Sequence, residues 1–216
     1  MKPISDAVIR SLVEQASFPE KRVRINVSGD KDPDSLADQI LVTLSRGNSV
    51  FLAAMGAKAN EKAAIGTSRA EEALGELWFL TRSHWTDEIG SPTSEGAEPP
   101  RVSVLNHQLV PVSGALLERL KEWGRTPETR HDMSVGSGTP SKKLGQSIAM
   151  SLSQGKEVTL CAVLAGANQQ AVKGLIEAER YLSTSGMHIL SHVSVKFDKG
   201  RVDESVPVIV RSLYTY

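Results

Sequence analysis

Two stretches of the chain combine small residues, hydroxyls, amides and lysines at spacings that suit an anion. The first is Gly136-Ser137-Gly138-Thr139-Pro140-Ser141-Lys142-Lys143, which leads into an amphipathic segment. The second is Ala165-Gly166-Ala167-Asn168-Gln169-Gln170-Ala171-Val172-Lys173, which leads out of an apolar run. Each reads as a strand-to-helix turn. The N–H groups at a helix start have no partner inside the helix, and a neighbouring glycine lets a phosphate come close to them. The candidate nucleic-acid phosphate contacts are Ser137, Thr139, Lys142 and Lys143 in the first stretch, and Gly166, Asn168, Gln169, Gln170 and Lys173 in the second. A plainer explanation stands beside this one. Small residues let a strand end and a helix start approach, Asn168 caps the helix, and the two lysines form a solvated first turn.

Other chemistries lack their residues. The first stretch resembles a nucleotide-hydrolase phosphate loop only superficially. Ser141 stands where G-x-x-x-x-G-K-[ST] needs its second glycine, and Lys143 where it needs Ser or Thr. Cys161 is the single cysteine, so neither an intrachain disulfide nor a cysteine-based metal site can form. Its apolar surroundings predict a buried free thiol. The five histidines are scattered and show no H-E-x-x-H spacing. With no legible Ser/His/Asp or Cys/His set, the expectation is a noncatalytic protein without metal or cofactor.

These turns must be held by flanking elements, and the elements come twice. Shifted by 108, residues 25–66 lie over 133–174 without a gap. Identities include Val27/Val135, Leu36/Leu144, Ile40/Ile148, Leu44/Leu152, Gly47/Gly155, Val50/Val158, Leu52/Leu160, Asn60/Asn168 and Ala63/Ala171. Leu36, Ile40 and Leu44 share one helical face, Gly47 stands where a left-handed cap is wanted, and Val50, Leu52 and Ala54 alternate as in a half-buried strand. The match continues upstream, where 4–15 lies over 112–123, with Ser5 and Ser113 as helix caps. Each unit then reads: leading helix, strand (about 23–28; 131–136), helix (34–46; 142–154), strand (49–56; 157–164), helix (60–74; 168–182) and two closing strands. The closing strands are placed at 77–85 and 101–110, and at 187–197 and 205–216, with Asp198-Lys199-Gly200-Arg201 as a hairpin turn.

The predicted class is therefore α/β (α+β): two tandem β-α-β-α-β-β domains, 1–112 and 113–216, each with a leading helix and a four-stranded mixed sheet. The first β-α-β of each gives parallel strands and the terminal hairpin adds antiparallel ones. Residues 86–100, TDEIGSPTSEGAEPP, read as a surface loop, and 124–131 as a linker. Trp78, Trp85 and Trp123 are expected to pack in the core or between domains rather than to stack on bases.

Lys+Arg and Asp+Glu are 25 each, which argues against tight nonspecific coating of nucleic acid. The balance is uneven along the chain. The first 108 residues hold 12 basic and 15 acidic side chains, the remainder 13 and 10. The loop Gly29-Asp30-Lys31-Asp32-Pro33-Asp34 replaces the lysine-bearing loop of the second unit with one that would repel phosphate, although acids at a helix start also favour the dipole. No stretch reaches a membrane span's length, and the first fifteen residues lack a signal peptide's apolar centre, so a cytoplasmic setting is expected.

The run Ala162-Val163-Leu164-Ala165-Gly166-Ala167-Asn168-Gln169-Gln170-Ala171-Val172-Lys173, with Ala178, Arg180-Tyr181-Leu182 and Ser185-Gly186 after it, resembles the stage V sporulation protein S family. The family pattern there is close to A-I-G-A-G-A-x-N-Q-A-V-K. The resemblance covers most of 131–214. In the first unit only Ala54-Met55-Gly56-Ala57 and Ala59-Asn60 echo it. It implies an Alba-like fold, dimer-like assembly and DNA or RNA binding without catalysis, in a family tied to bacterial sporulation and septation. The duplication, leading helices and acidic loop depart from the family and suit a bacterial or bacteriophage relative with a different job. The leading expectation is phosphate binding, mainly by the second repeat, in an intramolecular pseudo-dimer or a homo-oligomer. The alternative is an assembly or adaptor protein that self-associates through its oppositely charged repeats.

Overall fold

Apolar residues at Leu36, Ile40 and Leu44 give the segment Pro33–Ser45 a single buried face, and it forms helix α1. Proline occupies its first turn, where a missing N–H costs nothing, and the Asp32 carboxylate accepts a hydrogen bond from Ser35 N at 2.8 Å. Gly47, at φ 73°, lets the chain reverse after it, as its counterpart Gly155 does at φ 72°. In the computed structural model, which describes residues 22–75, 77–89, 101–113, 115, 130–199 and 205–215, α1 lies between parallel strands β1 (Arg22–Val27) and β2 (Ser49–Ala54). Helix α2 (Ala57–Leu74) and an antiparallel pair, β3 (Leu77–Ile89) and β4 (Arg101–Ser113), follow. The order then repeats as β5 (Arg130–Val135), α3 (Ser141–Ser153), β6 (Glu157–Val163), α4 (Leu164–Ser183), β7 (Ile189–Lys199) and β8 (Ser205–Thr215). The expected helix over 4–15, nearly all of that over 112–123, the segments 90–100 and 200–204, and Trp123 lie outside the described residues.

Several boundaries differ from the sequence expectation, each for a physical reason. The β3–β4 ladder runs unbroken from Leu77↔Ser113 to Ile89↔Arg101. Thr86–Ile89 are therefore strand rather than loop, and Val112 and Ser113 are ladder residues rather than a helix start. Arg130 and His131, expected in a linker, open β5. Strand β2 is covered on both faces rather than one, with Ser49 and Ala53 buried on the face opposite Val50, Leu52 and Ala54. Helices α2 and α4 begin three and four residues earlier than their apolar periodicity indicates.

The eight strands make one sheet, in the order β1-β2-β4-β3-β7-β8-β6-β5. The seam is β3 against β7, antiparallel through Leu80↔His192 and Thr81↔Ser191. Two helix carboxylates fix the correspondence of the halves here. Glu71 on α2 accepts a hydrogen bond from Phe79 N at 2.6 Å, and Glu179 on α4 accepts one from Ile189 N at 2.5 Å. Phe79 matches Ile189, so Thr81 matches Ser191, and these two matched residues pair with each other. A pseudo-two-fold axis therefore passes through the seam, and the two halves relate as the subunits of a dimer do.

Helices cross that axis to lock the join. Ala64 of α2 packs on Val193, Val195 and Ile209 of the second half. Val172 and Ile176 of α4 pack on Leu105 and Trp85 of the first. Each half keeps its own core, around Leu36, Ile40, Leu52 and Phe79 in one and Leu144, Ile148, Leu160 and Leu182 in the other. Burying each such side chain contributes about 1.5–3 kcal/mol, so cross-axis packing adds to two cores rather than replacing them.

Candidate nucleic-acid interface

The loop before α3 is tied to itself. Thr139 N donates to Gly136 O at 3.1 Å, and Gly136 N donates to Thr139 Oγ1 at 2.9 Å. This turn seats Ser137 against the start of α4, where a Cβ built on Gly166 would stand 3.0 Å from Ser137 Cβ. The first half makes the same approach with the sizes exchanged: a Cβ on Gly29 would stand 3.0 Å from Lys58 Cβ. Each copy places a glycine on one side of this close contact. In the second half the glycine is on the helix and Ser137 packs onto it; in the first half Lys58 is on the helix and packs onto Gly29.

Asn168 is not a cap. Helix α4 starts at Leu164, four residues earlier, and Asn168 is fully buried on its inner face. Its Oδ1 accepts from Arg211 of β8, with Nη2 at 3.0 Å and Nε at 3.4 Å. It is therefore closed to a surface ligand and anchors helix to sheet instead. Asn60 does the equivalent work: its Oδ1 lies 2.8 Å from His107 Nε2 on β4, and its Nδ2 donates to Gly56 O at 2.7 Å. The matching strand residues confirm the correspondence, since His107 pairs with Leu52 and Arg211 with Leu160. Burial, and then the Arg211 charge, push His107 down to about 3, so the imidazole is neutral. Burial lowers Arg211 only to about 10, leaving it cationic at neutral pH.

The remaining candidates divide between two places. Lys142 and Lys143 are exposed on the first turn of α3. That turn holds no acid, and its N-cap, Pro140, offers no side-chain hydrogen bond. Gln169 and Gln170 are half-buried beside Asn168. Lys173 turns towards the other half, its Nζ 5.4 Å from the centroid of the Trp85 ring. A cleft of about 260 Å³ opens there, lined by Trp85, Ser141, Lys173, Ile176, Glu177 and Arg180. The structure thus brings Ser137 to Gly166, and Ser141 to Lys173. Lys142 and Lys143 stand next to Ser141 in the chain without lining the cleft.

Sequence reasoning missed the seam. His188 and His192 stand four residues apart, a spacing that suggests a metal site on a helix but not on a strand. Here they serve different carboxylates: His188 Nδ1 lies 2.8 Å from Glu179, and His192 Nε2 lies 3.3 Å from Glu71. Arg82 approaches Glu179 at 3.5 Å, and Trp78 meets His192 edge-on at 5.3 Å. Among the described residues no three His, Cys, Asp or Glu side chains gather as a metal site would require. Cys161 is half-buried rather than buried, because its side chain points to the sheet face opposite the helices.

Residues 131–211 match the family model described as Stage V sporulation protein S (SpoVS). The match spans β5 to Arg211 on β8, and therefore holds the Gly136–Lys143 loop, the Gly166 turn and Lys173. No curated protein matches the chain. No helix among the described residues is long and apolar enough to cross a membrane.

Proposed function

We propose that this chain is a noncatalytic nucleic-acid-binding protein that contacts phosphates mainly through its second repeat. The observation that carries the reading is the surface formed by α3 and α4 in the half that matches the family. There an acid-free helix start carries two exposed lysines, and the loop before it packs Ser137 onto Gly166 in the first turn of α4. The N–H groups of a helix start have no partner inside the helix, and with lysine ammonium groups they suit phosphate oxygens without reading bases. The first half lacks this character, because Asp32 already fills the start of α1 and Asp34 pairs with Arg69.

The test is fluorescence anisotropy of labelled DNA and RNA oligonucleotides, comparing the native chain with Lys142→Ala/Lys143→Ala at low and moderate salt. Binding that weakens with salt, with a shallower salt slope in the double variant, supports the reading. Absence of salt-sensitive binding at micromolar protein refutes it.

A further inference from the structure

The cleft where the halves meet contains a feature that phosphate binding alone does not require. Trp85 comes from β3 of the first half, outside the segment that matches the family, whereas Ser141, Lys173, Glu177 and Arg180 come from α3 and α4 of the second. The indole is half-buried, held at its base by Leu105, Val172 and Ile176. Lys173 stands over its ring, and Arg180 is exposed, with its guanidinium 3.1 Å from Glu177. The lining therefore carries two cations against one anion around an aromatic plate.

The pseudo-symmetric position has none of this. The residue matching Trp85 is Val195, packed on Ala64. Those matching Lys173 and Arg180 under the 108-residue shift are Ile65 and Glu72. A site present on only one side of the axis is not a by-product of the repeated fold.

We propose that this cleft is a stacking site for single-stranded nucleic acid, in which one base lies on Trp85 in place of the Lys173 ammonium, and Lys173 and Arg180 turn to the adjoining phosphates. A ring held by packing at its base is a rigid plate, and stacking tolerates any base because every base has a π-face. The lysine now over the ring marks that face as reachable by a charged group and keeps it covered when no strand is bound. The inference rests on the phosphate-binding reading above and adds the strand form and the stacking residue.

The test compares a thymidine oligonucleotide of about 15 residues, within the span of such sites, with a duplex of the same length, by anisotropy on the whole chain. The variants are Trp85→Val, which installs the residue of the matching position, and Trp85→Phe, which keeps an aromatic plate. Thermal melts establish that both are folded. Trp85→Val should weaken single-strand binding about tenfold and leave the duplex little changed, and Trp85→Phe should restore most of the loss. Trp85→Val binding single strands like the native chain overturns the inference while the phosphate reading stands. So does an equal loss on both nucleic acids, or a loss that phenylalanine does not restore. If the native chain binds neither, the underlying reading falls and takes the stacking site with it.

Discussion

The two halves solve one problem with different chemistry at matched positions. In each, an asparagine on the inner face of the second helix reaches a long polar side chain on the last strand. The first half uses Asn60 and His107, the second Asn168 and Arg211. The imidazole is neutral, and Ser83 Oγ, 2.9 Å from Nδ1, serves its other nitrogen. The guanidinium keeps its charge in the interior, where its Nη1 and the Asn168 Nδ2 have no hydrogen-bond partner. A satisfied neutral pair stabilises modestly, whereas a buried charge costs heavily unless its acceptors are in place. The second half, whose residues 131–211 match the family model, should therefore depend far more on its asparagine.

The severest way to break that contrast is to make the halves alike in charge. His107→Arg would place a second cation near Arg211, whose field already disfavours protonation of His107. Buried beside that cation, the substitution should cost about 4 kcal/mol, read from urea unfolding. A loss below about 1 kcal/mol would mean that the centre accommodates charge and that the contrast is empty.

Removing each asparagine sharpens the same point at smaller scale. Asn168→Ala strips a buried cation of its acceptor and should cost about 3 kcal/mol. Asn60→Ala leaves a neutral ring short of one bond and should cost about 1–2 kcal/mol. Equal losses in chemical denaturation would show that charge does not separate the pairs.

Acid titrates only one of the two. His107 is held neutral in the fold down to about pH 3, against an ordinary value of 6.5. As pH falls below 6.5 the unfolded chain takes up a proton that the folded chain refuses. This part of the stability is therefore complete above that value and is lost progressively towards pH 3. Urea midpoints at pH 7 and pH 4.5 should differ less in His107→Gln than in the native chain. An unchanged difference would assign the acid sensitivity to other groups.

The matched positions also show what was legible in the sequence. The 108-residue shift recovers β1 to α2 and β5 to α4, because no residues are inserted there and the apolar faces repeat. It fails beyond the second helix. Phe79 and Ile189 are 110 apart, whereas His107 and Arg211 are 104 apart, since the turns between the closing elements differ in length. The polar partners of the two asparagines were therefore invisible, and Asn168 read as a cap. The exchange of Gly29/Lys58 for Ser137/Gly166 reads as two unrelated changes until the loop is seen to touch the helix. Trp85 was legible as a packing residue, and it does pack. Its exposed flank and Lys173 meet only because two halves fold onto one axis.

The smallest contrast lies at the turn into the second helix. Gly56 holds φ 86°, and the matching residue is Leu164, at φ 70°. Glycine adopts this region freely, but a branched side chain there meets its own carbonyl, at a cost of about 1–2 kcal/mol. Leu164 is also 57 % exposed, next to Val163 at 46 %, so burial does not offset the strain. Leu164→Gly should therefore stabilise the chain or leave it unchanged, the relief being partly cancelled by the greater freedom of an unfolded glycine. Gly56→Leu should cost about 1 kcal/mol in the same assay, because the first half would then carry the strain that the second tolerates. A destabilised Leu164→Gly would reverse the argument, showing that this exposed leucine contributes packing that outweighs its backbone.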